Sequence, residues 1–198
     1  MVGRLAFFLD CYREEHWNAA ICVLCYVKGT RNFVLTLGGD SRPSLLGYAD
    51  SDFANCPKTS RSIGGYCFSL GTGLISWSSK KQKHTSDLTC YAKYIALYHA
   101  GNEVIFLLEL LDGLDFPMPS STPIHCDNDT ARKLAEDHFQ TNAKHIRVKY
   151  HTIRDVLEEE IGHIVRVQSA DNAADIFTKP LAKPAFTYLQ NMLGLCVH

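Results

Sequence analysis

From residue 44 onward the sequence predicts an α/β domain: a five-stranded mixed sheet with helices on both faces, ordered β-β-β-α-β-α-β-α. Three observations predict it. Between Leu45 and Ser78, short apolar or aromatic runs are separated by turn residues, the pattern of an antiparallel meander. Beyond them, helical periodicities alternate with short strands, the signature of helices layered on a sheet. A chain of 198 residues that is 46% hydrophobic has the length of one domain and the apolar content to bury a core.

Taken in order, Glu14–Lys28 reads as a helix, because Trp17, Ala20, Ile21, Leu24 and Cys25 recur at helical spacing and Gly29 stops it. Phe33–Leu37 is a short strand. Leu45–Asp50, Gly65–Leu70 and Leu74–Ser78 are the three strands of the meander, with Gly71-Thr72-Gly73 turning the second into the third. A long helix covers about Asp87–Leu114, with Leu88, Tyr91, Ala92 and Ile95 on one face and Ile105, Leu108 and Leu111 extending the apolar stripe. Pro123–Asp127 is a strand, Asn128–Ala135 and His145–Ile161 are helices, and His163–Gln168 is the last strand of the sheet. Ala173–Phe177 starts a helix that Pro180 stops, and Ala185–Leu193 is the final one. Crossovers between parallel strands are expected to be right-handed.

Composition narrows the classes. No apolar run approaches the 18 or so residues of a membrane span, and the opening residues turn acidic too soon for a secretory signal. Eight cysteines at irregular spacing predict reduced thiols and an intracellular setting. Cys22 and Cys25 form a lone CxxC inside a helical pattern, which predicts core packing rather than a four-ligand zinc site.

A net charge of −1 gives no global case for nucleic acid. Its distribution is less even: Phe53–Ser86 carries five basic residues and no acidic one, and Arg132–Arg154 carries six against Glu136 and Asp137. These stretches form either one anion-binding face or two solvated surfaces.

Three carboxylates fall at strand ends or just beyond. Asp50 and Asp127 close the first and fourth strands of the sheet, which are expected to be parallel neighbours, and Asp175 opens the helix after the last strand. That edge is where open α/β sheets place their sites. Alone, each reads as a turn or cap; Asp127, before Asn128, is a candidate cap. Together they need cations to coexist, and the hard-cation answer is Mg²⁺ or Mn²⁺.

The segments Gly47-Tyr-Ala-Asp-Ser-Asp-Phe-Ala54, Arg61-Ser-Ile-Gly-Gly-Tyr-Cys-Phe68, Ile75-Ser-Trp-Ser-Ser-Lys-Lys-Gln82, Tyr94-Ile-Ala-Leu97, His125-Cys-Asp-Asn128, Lys144-His-Ile146 and Ala174-Asp-Ile-Phe-Thr-Lys-Pro-Leu181 resemble the ribonuclease H region of copia-type LTR retrotransposon polyproteins. Residues 1–43 resemble the tail of the preceding reverse transcriptase, and 44–198 the ribonuclease H-like domain. The resemblance implies hydrolysis of the RNA strand of RNA–DNA hybrids by two divalent ions about 4 Å apart. It implies Asp50 as the bridging ligand, Asp127 on one metal and Asp175 on the other.

The family's fourth ligand is a glutamate in Thr-Glu-Ala-Glu-Tyr, where this chain has Cys90-Tyr91-Ala92-Lys93-Tyr94. Tyr91 is expected in the catalytic position, a neutral phenol at pH 7 and a poor Mg²⁺ ligand, with Asp87 one turn earlier as a substitute and Lys93 replacing the second glutamate. Catalysis is expected to be impaired. Lys80, Lys81, Lys83, Lys144, His145 and Lys149 are the candidate phosphate contacts, joined by Arg147, where the family usually has an acidic residue. Trp77 reads as core more readily than as a stacking platform, and His125 and Cys126 as packing residues.

Competing expectations are a silent nucleic-acid-binding module, a repurposed fold holding a small molecule or peptide in the former cleft, and a frame with no selected role.

Overall fold

The computed structural model describes residues 2–38, 43–53, 56, 59–83, 89–116, 118, 121–136 and 152–197. Its centre is a five-stranded sheet in the order β4-β3-β2-β5-β6. Strands β2 (Leu45–Asp52), β3 (Ile63–Leu70) and β4 (Gly73–Lys81) form the antiparallel meander. Gly71, at φ 61°, takes the left-handed conformation that a two-residue hairpin needs at its first central position. Strand β5 (Thr122–Cys126) runs parallel to β2, and β6 (Gly162–Arg166) parallel to β5. The carboxyl ends of β2 and β5 therefore lie side by side.

Strand alternation splits β2 between two cores. Leu45 and Ala49 join Phe68, Tyr94, Leu97, Val104 and Ile124 beneath the long helix α3 (Thr89–Gly113), with α4 (Asp129–Glu136) and helical backbone at 152–158 (α5) completing that face. Gly47 leaves room for the Phe68 ring; a Cβ there would meet Phe68 Cε1 at 2.5 Å. Leu46 and Tyr48 face the other way. There they pack with Cys67, Ala173, Ala174 and Leu193 beneath α6 (Asp175–Thr178) and α7 (Lys183–Met192).

By length and composition α3 would suffice to cross a bilayer, which the sequence reading did not foresee; half of its most apolar stretch is buried, as in a core helix. Its buried residues Leu97, Ala100, Val104, Leu107 and Leu111 follow a three-then-four spacing along one stripe.

Before the sheet come the short α1 (Val2–Leu5), a 3₁₀ turn over Ala6–Cys11, α2 (Glu14–Gly29) and β1 (Phe33–Leu35). Contrary to the expected buried face, α2 buries no residue. Trp17, Leu24 and Val27 are exposed, as are Cys22 and Cys25, so the CxxC pair is not core packing. Beside the apolar stripe, Tyr26 makes an edge-on ring contact with Phe186. None of the eight cysteines, all among the described residues, is joined in a disulfide.

A strand the sequence reading missed, β7 (Leu195–Val197), pairs antiparallel with β1, some 160 residues earlier in the chain. Trp77, expected in the core, lies on the edge strand β4 and is 58% exposed. Of the predicted helix at 145–161, residues 145–151 lie outside the described residues.

Candidate carboxylate site at the sheet edge

Asp50 sits near the end of β2, on the strand face that also carries Leu46 and Tyr48, with 1% of its side chain exposed. Its Oδ2 accepts a 2.6 Å hydrogen bond from Thr178 Oγ1 of α6. Asp127 follows β5. The cap of α4 is its neighbour Asn128, whose Oδ1 accepts from the Ala131 amide at 2.7 Å. Asp127 is therefore not the capping residue, and its Oδ2 accepts from Ser169 Oγ instead.

Asp175 reaches the same place from the opposite layer. Asn172, fully buried, donates Nδ2 to the Ala49 carbonyl at 3.1 Å and accepts from the Ala174 amide, pinning the start of α6 against β2. Gly65 permits the close approach: a Cβ there would lie 2.8 Å from Thr178 Cγ2 and 3.0 Å from Phe177 Cβ. The fold thus gathers three aspartates from three segments at one sheet edge.

Two ammonium groups sit among them. Lys93 of α3 pairs with Asp50 Oδ1 at 2.9 Å and with Asp127 Oδ1, its side chain only 12% exposed. Lys179, one turn beyond Asp175, lies 2.8 Å from Asp175 Oδ2 and 3.9 Å from Asp50 Oδ2. Three carboxylates against two ammonium groups is nearly balanced.

The balance shows in the proton affinities. Burial would raise Asp50, but the Lys93 ammonium, the Thr178 hydroxyl and Lys179 together hold it below the usual carboxylate range. Burial would lower Lys93, yet its two aspartates raise it, so it stays charged. Asp175 is pushed up to about 7, mainly by burial and by the neighbouring Asp50, against the opposing pull of Lys179.

The α3 residue at this site is Lys93, not Tyr91. Residues two apart on a helix are about 200° apart around its axis, so only one of the pair can face the sheet edge. Lys93 continues the buried stripe at i+4 to Leu97, whereas Tyr91 stands on the other side, half-buried. The second glutamate position of the family pattern therefore faces the aspartates, and the chain has lysine there. Asp87, the suggested substitute, lies outside the described residues.

A pair of divalent ions does not fit these residues. Mg²⁺ demands oxygen ligands at about 2.0–2.1 Å in near-octahedral array, and the Lys93 ammonium already spans Asp50 and Asp127. Asp50 has its Oδ1 paired with Lys93 at 2.9 Å and its Oδ2 hydrogen-bonded by Thr178, which leaves the buried Asp175 Oδ1, without a hydrogen bond, to supply a single ligand. Among the described residues no three or more His, Cys, Asp or Glu side chains are arranged to hold a metal ion.

Of the candidate phosphate contacts, Lys80 and Lys83 are exposed at the end of β4 and just beyond it, while Lys81 is half-buried with its ammonium 4.1 Å over the Phe7 ring. Lys144, His145, Arg147 and Lys149 lie outside the described residues. His125 packs its ring 4.9 Å from that of Tyr48, and Cys126 is buried. The sequence reading missed Thr178, Lys179, Ser169 and Asn172. Asp175, Thr178 and Lys179 at i, i+3 and i+4 carried the signal for two of them.

No protein-family model matches the chain. Over 195 residues, 98% of its length, it is 34% identical to the retrovirus-related Pol polyprotein from transposon TNT 1-94 of Nicotiana tabacum, of which it spans 14%. In fold it is similar to LC11-RNase H1, solved in complex with an RNA/DNA hybrid, with a TM-score of 0.50 at 16% identity over 68% of this chain and 94% of that one. It is also similar to the foamy viral protease-reverse transcriptase in complex with an RNA/DNA hybrid, with a TM-score of 0.50 at 16% identity over 85% of this chain and 26% of that one.

Proposed function

Because the chain belongs to the copia-type, retrovirus-related Pol polyproteins of transposons and has the ribonuclease H-like fold, we propose that it is a nucleic-acid-binding domain that recognises RNA–DNA hybrid and has lost most or all cleavage. The observation that carries this reading is the Lys93 ammonium lodged between Asp50 and Asp127. Two-metal hydrolysis needs those carboxylates free to hold cations that activate water and stabilise the leaving oxygen. A lysine in their midst removes one ligand and adds a positive charge where a metal ion would have to enter.

Hybrid recognition is supported by the solved relatives of this fold in complex with RNA/DNA hybrid and by the basic residues Lys80 and Lys83, exposed at one end of the sheet. Nucleic-acid backbone contacts need exposed cations rather than a catalytic centre. Trp77, exposed on β4, adds an aromatic face of the kind on which sugars and bases stack.

The test is a labelled RNA–DNA hybrid incubated with the protein, with Mg²⁺ or Mn²⁺ titrated, beside a binding titration on the same duplex. Salt-dependent binding with no cleavage is the expected result. Metal-dependent cleavage by the unaltered chain would overturn the loss of activity, and absence of binding would overturn the recognition. The repurposed-pocket reading gains nothing specific here, since Tyr91 does not occupy the centre.

A further inference from the structure

We propose that the Lys93 ammonium is the resident cation of this centre, standing permanently where a divalent ion would otherwise be required, so that the carboxylate cluster is a metal-independent joint locking α3 to the ends of β2 and β5. The proposal deepens the preceding reading, from which it takes only the choice of metal ions used as probes.

The geometry carries it. Asp50 and Asp127 come from parallel neighbouring strands and retain 1% and 7% side-chain exposure, so their mutual repulsion is not relieved by solvent. One ammonium touches both. It arrives from a separate element, α3, whose next inward residue, Leu97, is fully buried, so the anchor is rigid. The remaining oxygens of the two aspartates are engaged by Thr178 and Ser169 from yet other segments. A divalent ion entering between them would have to expel a charge covalently tethered to the fold.

Two predictions separate this from a lysine that merely fills space. In the unaltered chain, neither EDTA nor added Mg²⁺ should move the melting temperature, and Mn²⁺ should show no tight bound fraction by electron paramagnetic resonance. Lys93→Glu returns a carboxylate to the cluster and should reverse both results: a lower melting temperature in EDTA that Mg²⁺ or Mn²⁺ largely restores, and a bound Mn²⁺ signal. Lys93→Gln keeps length and polarity without charge; it should melt lower by on the order of 10 °C.

Should Lys93→Glu fail to fold, Lys93→Gln and the metal titration of the unaltered chain still decide the matter. Tight Mn²⁺ binding by the unaltered chain, lost in Asp50→Asn, would overturn the proposal. So would a Lys93→Gln variant as stable as the original. Hybrid binding is read separately: if it fails while the metal pattern holds, the recognition falls and this inference stands, and the converse is equally readable.

Discussion

Asn172 and Ala49 are 123 residues apart in sequence, yet the buried Asn172 side chain donates to the Ala49 carbonyl at 3.1 Å. Through this bond the segment that carries Asp175 is fastened one residue away from Asp50. Both ends of the amide are used, since Oδ1 accepts from the Ala174 amide. Asn172→Ala is expected to cost about 1–3 kcal/mol, because a buried carbonyl and a buried amide lose their partner. Chemical denaturation checks this; a loss within a few tenths of a kcal/mol would mean that water replaces the amide without penalty.

Gly65 sets how closely α6 approaches the sheet. Gly65→Ala places a methyl 2.8 Å from Thr178 Cγ2 and 3.1 Å from the Ser78 carbonyl oxygen, so α6 must shift or β3 must bend. The expected cost is about 1–3 kcal/mol, the range for overpacking. Urea midpoints read it, with an accompanying change in the Asp175 titration as Thr178 moves off Asp50.

The raised proton affinity of Asp175 gives stability a definite slope with pH. Its folded value of about 7 lies above its ordinary one, so the folded state binds this proton more tightly than the unfolded state does. That contribution is complete below about pH 4 and is lost as pH rises through about 7. Asp50, held below its ordinary range, works oppositely, and its contribution is lost as the solution becomes strongly acidic. Asp175→Asn should therefore flatten the decline between about pH 4 and 7 and gain relative stability above it. Melting temperatures across that range check the sign; an unchanged slope would show that Asp175 is not its source.

Lys80 and Lys83 are expected to act on hybrid affinity and not on folding. Replacing both by alanine should weaken binding about equally across sequences and reduce the slope of log affinity against log salt by about 1 per lysine that contacts phosphate. Melting temperature should stay constant, since both side chains are exposed.

Much of this architecture was legible in the residues. Strand alternation and the Gly71 turn located the meander, and β2 beside β5 followed from a strand returning after a helical crossover. Asp50, Asp127 and Asp175 were visible because the first two close apolar strand runs and the third, after Ala173-Ala174, opens a helix. The helical phase at 91–93 was less so: both positions flank apolar residues, and the choice was decided by a stripe that continues from Lys93 through Leu97, Ala100 and Val104. Trp77 was misread because an edge strand covers only one face, and aromatic character alone does not say which. The apolar stripe of α2 implied burial that no neighbour among the described residues provides. β7 escaped notice because three residues hold too little periodicity, and its pairing depends on a partner some 160 residues away.

The β1–β7 ribbon gives the molecule a built-in clasp. Clipping off Leu195–Val197 would deprive Phe33–Leu35 of its hydrogen-bonded partner, so a nick within β7 would be felt as loosening in the segment that leads into the central sheet.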